Sequence, residues 1–303
     1  MRVIDEKNLY EVALELAKRS STRIAPDAMF LLRQAYQREK SLAAKRMLEA
    51  MIRNAELAAE TGKPVCQSPG YPVVYVKMSP AIIVNANIQK VFQKAIVDAT
   101  KMGYLRPSMV HPITRRNPGD NSGVGVPDVE IEISPEQDYT ELIISFKGCG
   151  AELANVVKVL TPAQVGKDGI GIKRLVLESV IAAGGVPCPP VGIGIGIGGQ
   201  IHQATKLSRK AIGAREWTDT NPDPELAKLE NELLSAVNSL GIGPAGVGGD
   251  TTALAVKIEM AYTHTAICPI AINFHCWVAR RSGVRIYSDG STAFKEDMYR
   301  PPI

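Results

Sequence analysis

Between Val191 and Gly199 the chain reads Val-Gly-Ile-Gly-Ile-Gly-Ile-Gly-Gly. Alternation with a period of two is the mark of a β-strand, because successive side chains leave its opposite faces. One face here is branched and apolar, and the other carries no side chains. The run predicts a buried, tightly packed strand on which another backbone or a metal cluster approaches closely. Gly194, Gly196 and Gly199 also fit G-x-G-x-x-G. A dinucleotide site needs those glycines after the strand, where a helix opens. Here they lie inside the strand, so a nucleotide-dependent oxidoreductase is the weakest reading of the chain.

Residues 5–62 read as helical. A stripe of Val12, Leu14, Leu16 and Ala17 is interrupted by Ser20-Ser21-Thr22. A second helix follows Pro26, and a third, from Ser41 to Thr61, stops at Gly62 and Lys63-Pro64. Val73 to Val76 predict a strand over 72–78, and Pro80 opens a helix to about Met102. The segment 103–127 is rich in proline and glycine and reads as a long loop of the kind that carries function. Alternation at 129–133 and an apolar run at 142–146 suggest a hairpin. Helices are expected from Thr161 to Ala183, Gln200 to Ile212 and Pro224 to Leu240. Strands are expected at 252–262, 266–274 and 285–287. No regular strand–helix–strand alternation appears, so the fold class is α/β with mixed helices and strands rather than a doubly wound sheet. A single large domain over 1–303, with a helical N-terminal part over 1–62, is expected.

Hydrophobic residues make up 45% of the 303 and charged residues 22%, which excludes a disordered chain. A net charge of +4 is too mild for a nucleic-acid face, and 5% aromatics leaves few stacking platforms. There is no long apolar run for a membrane span. Arg2, Asp5, Glu6 and Lys7 break any signal-peptide stretch, so a cytoplasmic protein is expected. Five cysteines in a reducing compartment argue for buried thiols or a metal site rather than disulfides.

Three cysteines stand alone in rigid turns: Cys66 in Pro64-Val65-Cys66-Gln67-Ser68-Pro69-Gly70, Cys188 in Val186-Pro187-Cys188-Pro189-Pro190, and Cys276 in His275-Cys276-Trp277. None has a C-x-x-C neighbour, so zinc-ribbon and two-cluster ferredoxin patterns are absent. Convergence on one site and inert burial are both open on spacing alone.

The local sequences resemble the α part of the iron–sulfur hydro-lyases, the class I fumarase and L(+)-tartrate dehydratase type. The resemblance runs in order through Cys66-Gln67-Ser68-Pro69-Gly70, Gly148-Cys149-Gly150, Lys158 to Pro162, Cys188-Pro189-Pro190, Leu207 to Ile212, Leu240 to Pro244, and Cys276 to Arg281. It implies a [4Fe–4S] cluster on Cys66, Cys188 and Cys276, with Cys149 and Cys268 as thiols outside the ligand set. Three ligands leave one iron free for a substrate carboxylate and hydroxyl, which suits non-redox hydration. The implied substrate residues are Gln67, Ser68, Arg106, Gly150 and His264. Asn117, Gly119 and Asn121 resemble a loop that shapes the pocket wall. His111, His202 and His275 find no match, and Arg280 and Arg281 are read as structural or facing a partner.

The implied activity is reversible addition or removal of water on a small dicarboxylate, of the fumarate/malate or tartrate type. Ser68-Pro69 departs from the family's Asp-Thr, and serine cannot act as a carboxylate base. Two alternatives follow: a hydratase for a mesaconate-type substituted fumarate, or a non-catalytic iron–sulfur scaffold. The family completes its pocket with a β-type region that this chain does not show after Cys276. A separate β subunit and an α₂β₂ assembly are therefore expected, with no nucleic-acid or membrane partner.

Overall fold

The computed structural model describes residues 2–302. In chain order the elements are β1 (Arg2–Asp5), α1 (Glu6–Thr22), α2 (Pro26–Arg38), α3 (Leu42–Thr61), β2 (Tyr71–Met78), β3 (Ile82–Asn85), α4 (Ile88–Lys101), β4 (Asp128–Ile133), β5 (Tyr139–Lys147), α5 (Cys149–Leu153), β6 (Val156–Leu160), α6 (Pro162–Val165), α7 (Ile170–Ala183), β7 (Val191–Gly198), α8 (Ile201–Gly213), α9 (Pro224–Asn238), β8 (Ala253–Ala261), β9 (Cys268–His275), β10 (Arg281–Tyr287), β11 (Thr292–Phe294) and α10 (Lys295–Met298). The class is α/β with mixed sheets, as the patterning predicts. Two compact units share these elements. One takes the described residues up to Pro26 with Asn54–Gly148 and Arg280–Arg300, and the other takes Asp27–Arg53, Cys149–Ala279 and the last described residues.

The first unit is built on a five-stranded sheet in the order β11-β10-β5-β2-β4. Leu9, Ala13, Leu16 and Ala17 of α1 and Phe92, Ala95, Ile96 and Ala99 of α4 share a core with Val74, Val76, Leu142, Ile144 and Phe146 of the sheet. The alanines let the two helices come close, and each helix is started by a side-chain cap. Asp5 accepts from the Asn8 N–H at 2.8 Å and Asn87 from the Lys90 N–H at 3.0 Å. The serines at the end of α1 do not interrupt it. Ser20, Ser21 and Thr22 donate their hydroxyls back to the Ala17 and Lys18 carbonyls within the helix.

The predicted hairpin does not form. β2 lies between β4 and β5, parallel to the first and antiparallel to the second. β5 needs two buried neighbours, since its residues after Tyr139 are all buried, whereas β4 is a half-exposed edge. The helix expected from Pro80 begins only at Ile88. Ile82, Ile83 and Val84 instead pair in parallel with β1, as β-branched residues favour.

The second unit centres on β7, in a four-stranded sheet of order β6-β9-β7-β8. Ile193 and Ile195 face a core of Leu175, Val176 and Val180 of α7 and Leu233 and Val237 of α9. The glycine face takes α8. A Cβ on Gly194 would collide with the Ser208 carbonyl, and one on Gly196 with the Ala204 carbonyl. The close approach read from the alternation is therefore that of a helix backbone. Beside the sheet sits a buried ionic network. Arg215 donates to Asp219 at 2.7 and 3.0 Å and to Glu230 at 3.0 Å, and Lys257 lies 2.9 Å from Asp219. Asn221 and the Ile258 N–H complete the shell of Glu230. Among the described residues no helix is long and apolar enough to cross a membrane.

Candidate active site

In the first unit the turn after α3 is held at both ends. The Val65 N–H donates to the Ser21 carbonyl at 2.9 Å, and the Asn54 amide donates to the Val65 carbonyl at 3.1 Å. Cys66 follows, half-buried, and the Ser68 N–H stands 3.5 Å from its Sγ. Gln67 is exposed and Ser68 half-buried. Gly70 lies directly on the carbonyl of Lys147, so the turn runs against the end of β5. That contact brings Ser68 to Gly148 and Arg280. A Cβ on Gly148 would stand 3.4 Å from Ser68 Oγ and 3.2 Å from Arg280 Nη2.

Arg106 is exposed on the long loop after α4, also in the first unit. Asn121 shapes that loop from a left-handed backbone, φ +61°. Its Oδ1 accepts from the Ser108 N–H at 2.7 Å and the Met109 N–H at 3.2 Å, while its Nδ2 donates to Thr100 Oγ1 at 2.9 Å and the Arg106 carbonyl at 3.0 Å. Asn117 adds a bond from Nδ2 to the Pro107 carbonyl and accepts from the Gly119 N–H. The two asparagines thus fix the backbone at Arg106 and over the three residues after it. The hydroxyl and N–H of Ser122 donate to Asp120 and hold its carboxyl below the usual range.

The second unit carries Cys188 and Cys276, and it joins their turns directly. The Trp277 N–H donates to the Cys188 carbonyl at 3.4 Å. Cys188 has φ +57°, a left-handed conformation that costs a non-glycine residue about 1–2 kcal/mol, and its side chain is exposed. Such strain persists because neighbours over-determine it. The Cys188 N–H donates to the Gly185 carbonyl at 3.1 Å, and the next residue's carbonyl accepts from the Ala245 N–H at 2.8 Å. Cys276 is buried, its carbonyl accepting from the Ala279 N–H at 3.1 Å.

Gly150, in α5, abuts the same turn. A Cβ there would stand 2.5 Å from the Val186 carbonyl. Its neighbour Cys149 is exposed. Cys268 is half-buried on β9, and burial pushes its thiol up, away from the thiolate form. His264 is exposed on the loop between β8 and β9. Its Nδ1 accepts from the Ala266 N–H at 3.2 Å, which leaves Nε2 as the donor of the neutral ring.

The structure thus gathers Cys188, Cys276 and Gly150 in one unit, and Cys66, Ser68, Gly148 and Arg280 in the other. Arg106 and His264 stand on separate loops, and their hydrogen bonds among the described residues are local. Among those residues no three or more His, Cys, Asp or Glu side chains are grouped to hold one metal ion. A cluster asks for something else, a thiolate on each of several irons with backbone N–H groups toward sulfur. The donor chemistry present fits that demand: single thiols on braced turns, with the Ser68 N–H already directed at the Cys66 sulfur. Arg280, read from the sequence as structural or facing a partner, is buried at 2% exposure, which shows only in the packing.

The family model for fumarate hydratase (Fumerase) matches residues 10–285. A protein of Methanocaldococcus jannaschii, provisionally named L(+)-tartrate dehydratase subunit alpha, is 42% identical over 284 residues, covering 92% of this chain and 98% of its own. The L(+)-tartrate dehydratase subunit alpha of Escherichia coli K12 is 32% identical over 281 residues, 93% of this chain and 91% of its own. A Geobacillus stearothermophilus protein, provisionally named fumarate hydratase class I, is 35% identical over 287 residues, 92% of this chain but 55% of its own.

Proposed function

This chain belongs to the fumarate hydratase family and is an enzyme of the hydro-lyase class; from that premise we propose that it is the α subunit of a [4Fe–4S]-dependent hydro-lyase acting on a small dicarboxylate of the fumarate/malate or tartrate kind. The observation that carries the reading is the backbone tie between the Cys188 and Cys276 turns, with an exposed thiol held on a strained residue. Cys66, Cys188 and Cys276 would hold the cluster. When bound, a cluster with one iron free of protein ligands supplies Lewis acidity toward a substrate hydroxyl and carboxylate.

The chain's own residues bind and orient. Arg106 offers a guanidinium fork to a carboxylate, and its backbone is braced by Asn121. The Gln67 amide, the Gly150 N–H and the His264 Nε2–H supply neutral donors. Ser68 offers a hydroxyl where a carboxylate would take a proton, so it positions substrate rather than acting as the base. The alpha-subunit names of the relatives support a separate β subunit that completes the pocket, in an α₂β₂ assembly. The 55% coverage of the Geobacillus relative agrees, since in that protein further chain accompanies this region. Among the described residues no cysteine is joined in a disulfide, and the reading places the enzyme in a reducing, cytoplasmic setting.

The test is anaerobic reconstitution of this chain, followed by assay on fumarate, malate and tartrate before and after a β subunit is added. About four irons per chain are expected. Turnover should be lower by at least about 10²-fold without the partner, the loss from one missing stabilising donor. Full turnover by the isolated chain would refute the split site, and a chain that takes up no iron would refute the cofactor.

A further inference from the structure

We propose that Arg280 is a carboxylate-binding residue of this enzyme, the cation that receives one carboxylate of the substrate beside Ser68. The inference rests on the hydro-lyase reading and names a residue of its site. Arg280 is 2% exposed, and its Nε and Nη1 are buried without a hydrogen-bond partner among the described residues. A guanidinium carries its charge at every accessible pH. A buried charge is ordinarily paired, because leaving it alone is among the costliest arrangements a protein interior can hold.

Among the described residues of the first unit, two neutral ones lie near the guanidinium. Gly148 and Ser68 stand beside Nη2, both close to the point where a Cβ on Gly148 would lie, at 3.2 Å from Nη2 and 3.4 Å from Ser68 Oγ. With no side chain on Gly148, the hydroxyl and the guanidinium face each other at close quarters. The base of the arginine is fixed, because its carbonyl accepts from the Phe146 N–H at 2.9 Å, at the start of β10. A cation on a rigid base beside a neutral hydroxyl forms a half-built site for a small planar anion. A carboxylate completes it by accepting from the guanidinium and from the serine hydroxyl. An aspartate at position 68 would supply that anion internally, whereas serine leaves the cation to the ligand.

The experiment uses the cluster-loaded enzyme assembled with its β subunit, in wild type, Arg280→Lys, Arg280→Met, Ser68→Asp and Ser68→Asp/Arg280→Met forms. Steady-state kinetics on the preferred dicarboxylate, visible absorbance of the cluster and melting temperature are measured for each. Loss of a charged hydrogen bond should raise KM about 10- to 100-fold, with kcat less affected and cluster absorbance unchanged. Ser68→Asp should raise both KM and melting temperature, and its gain in melting temperature should vanish when Arg280→Met is added. A wild-type KM retained in Arg280→Lys and Ser68→Asp overturns the inference while leaving the hydro-lyase reading intact, even if Arg280→Met fails to fold. Loss of cluster absorbance in Arg280→Lys with unchanged KM also overturns it, by assigning the arginine to the cluster. A wild-type enzyme that neither binds nor turns over any dicarboxylate overturns both readings.

Discussion

Gly194→Ala should lower the melting temperature of the second unit by about 6–12 °C. The new methyl group would project from the middle of β7 into the carbonyl of Ser208, with Ile212 Cβ at 2.9 Å. A side chain can rotate away from such a collision, but a helix carbonyl cannot. The carbonyl moves only if α8 lifts from the sheet as a body. Overpacking in a core costs about 1–3 kcal/mol, and a backbone obstacle puts this case near the top, at about 3 kcal/mol. For a unit of this size each kcal/mol moves the midpoint about 2–4 °C. Gly196→Ala meets the Ala204 carbonyl and should behave alike.

Gly192→Ala strikes the side chains of Trp217 and Ile212, at 2.5 and 2.7 Å, and should cost less to the extent that they yield. Gly123→Ala is the control. Its nearest neighbour is Val126 Cγ2 at 3.8 Å and its φ is not left-handed, so a change within about 0.5 kcal/mol is expected. The assay is anaerobic thermal unfolding followed by circular dichroism. A Gly194→Ala protein that melts within about 1 °C of wild type would mean that α8 does not rest on the glycine face.

Cys188→Ala should abolish cluster binding while Cys149→Ala and Cys268→Ala keep at least most of the iron; equal iron loss in all three would overturn the ligand assignment. Glu230→Ala should destabilise by about 3 kcal/mol in denaturant titration, because it strips a partner from Arg215 and leaves Lys257 with less counter-charge inside the unit. Burial pushes the Asp219 carboxyl up, but the Arg215 and Lys257 contacts outweigh it and hold the group below its usual value. A depressed carboxyl contributes stability above its unfolded pKa, near 4, and loses it as pH falls through the folded value. Melting temperature should therefore drop as the pH is lowered below about 4, and Asp219→Asn should flatten that limb.

Much of the fold was legible because its signals are local. The period-two glycines of β7, the Pro26 and Pro224 helix starts and the glycine stop after α3 each act within a few residues. What escaped was pairing. Whether β4 meets β5 or β2 depends on which strand the core must bury twice, and nothing within 128–147 states that β2 will insert. β1 and β3 were missed for the same reason, as two four-residue stretches far apart in sequence that are strands only because they meet. The site divides along the same line. Its cysteine turns and the asparagines bracing Arg106 sit in recognisable local sequence.

Arg280 differs from those residues in kind. Its significance lies in what is missing around it, and absence of a partner has no sequence signature. In the sequence the two adjacent arginines after Cys276 read alike, as structural or facing a partner. Only packing separates them, by leaving Nε and Nη1 of Arg280 enclosed and without a partner among the described residues, while Arg281 has partners of its own. A ligand-binding arginine must be left unsatisfied by the fold in order to be satisfied by the substrate. At a buried, charged and incomplete group the stability of the chain and the needs of its chemistry pull in opposite directions.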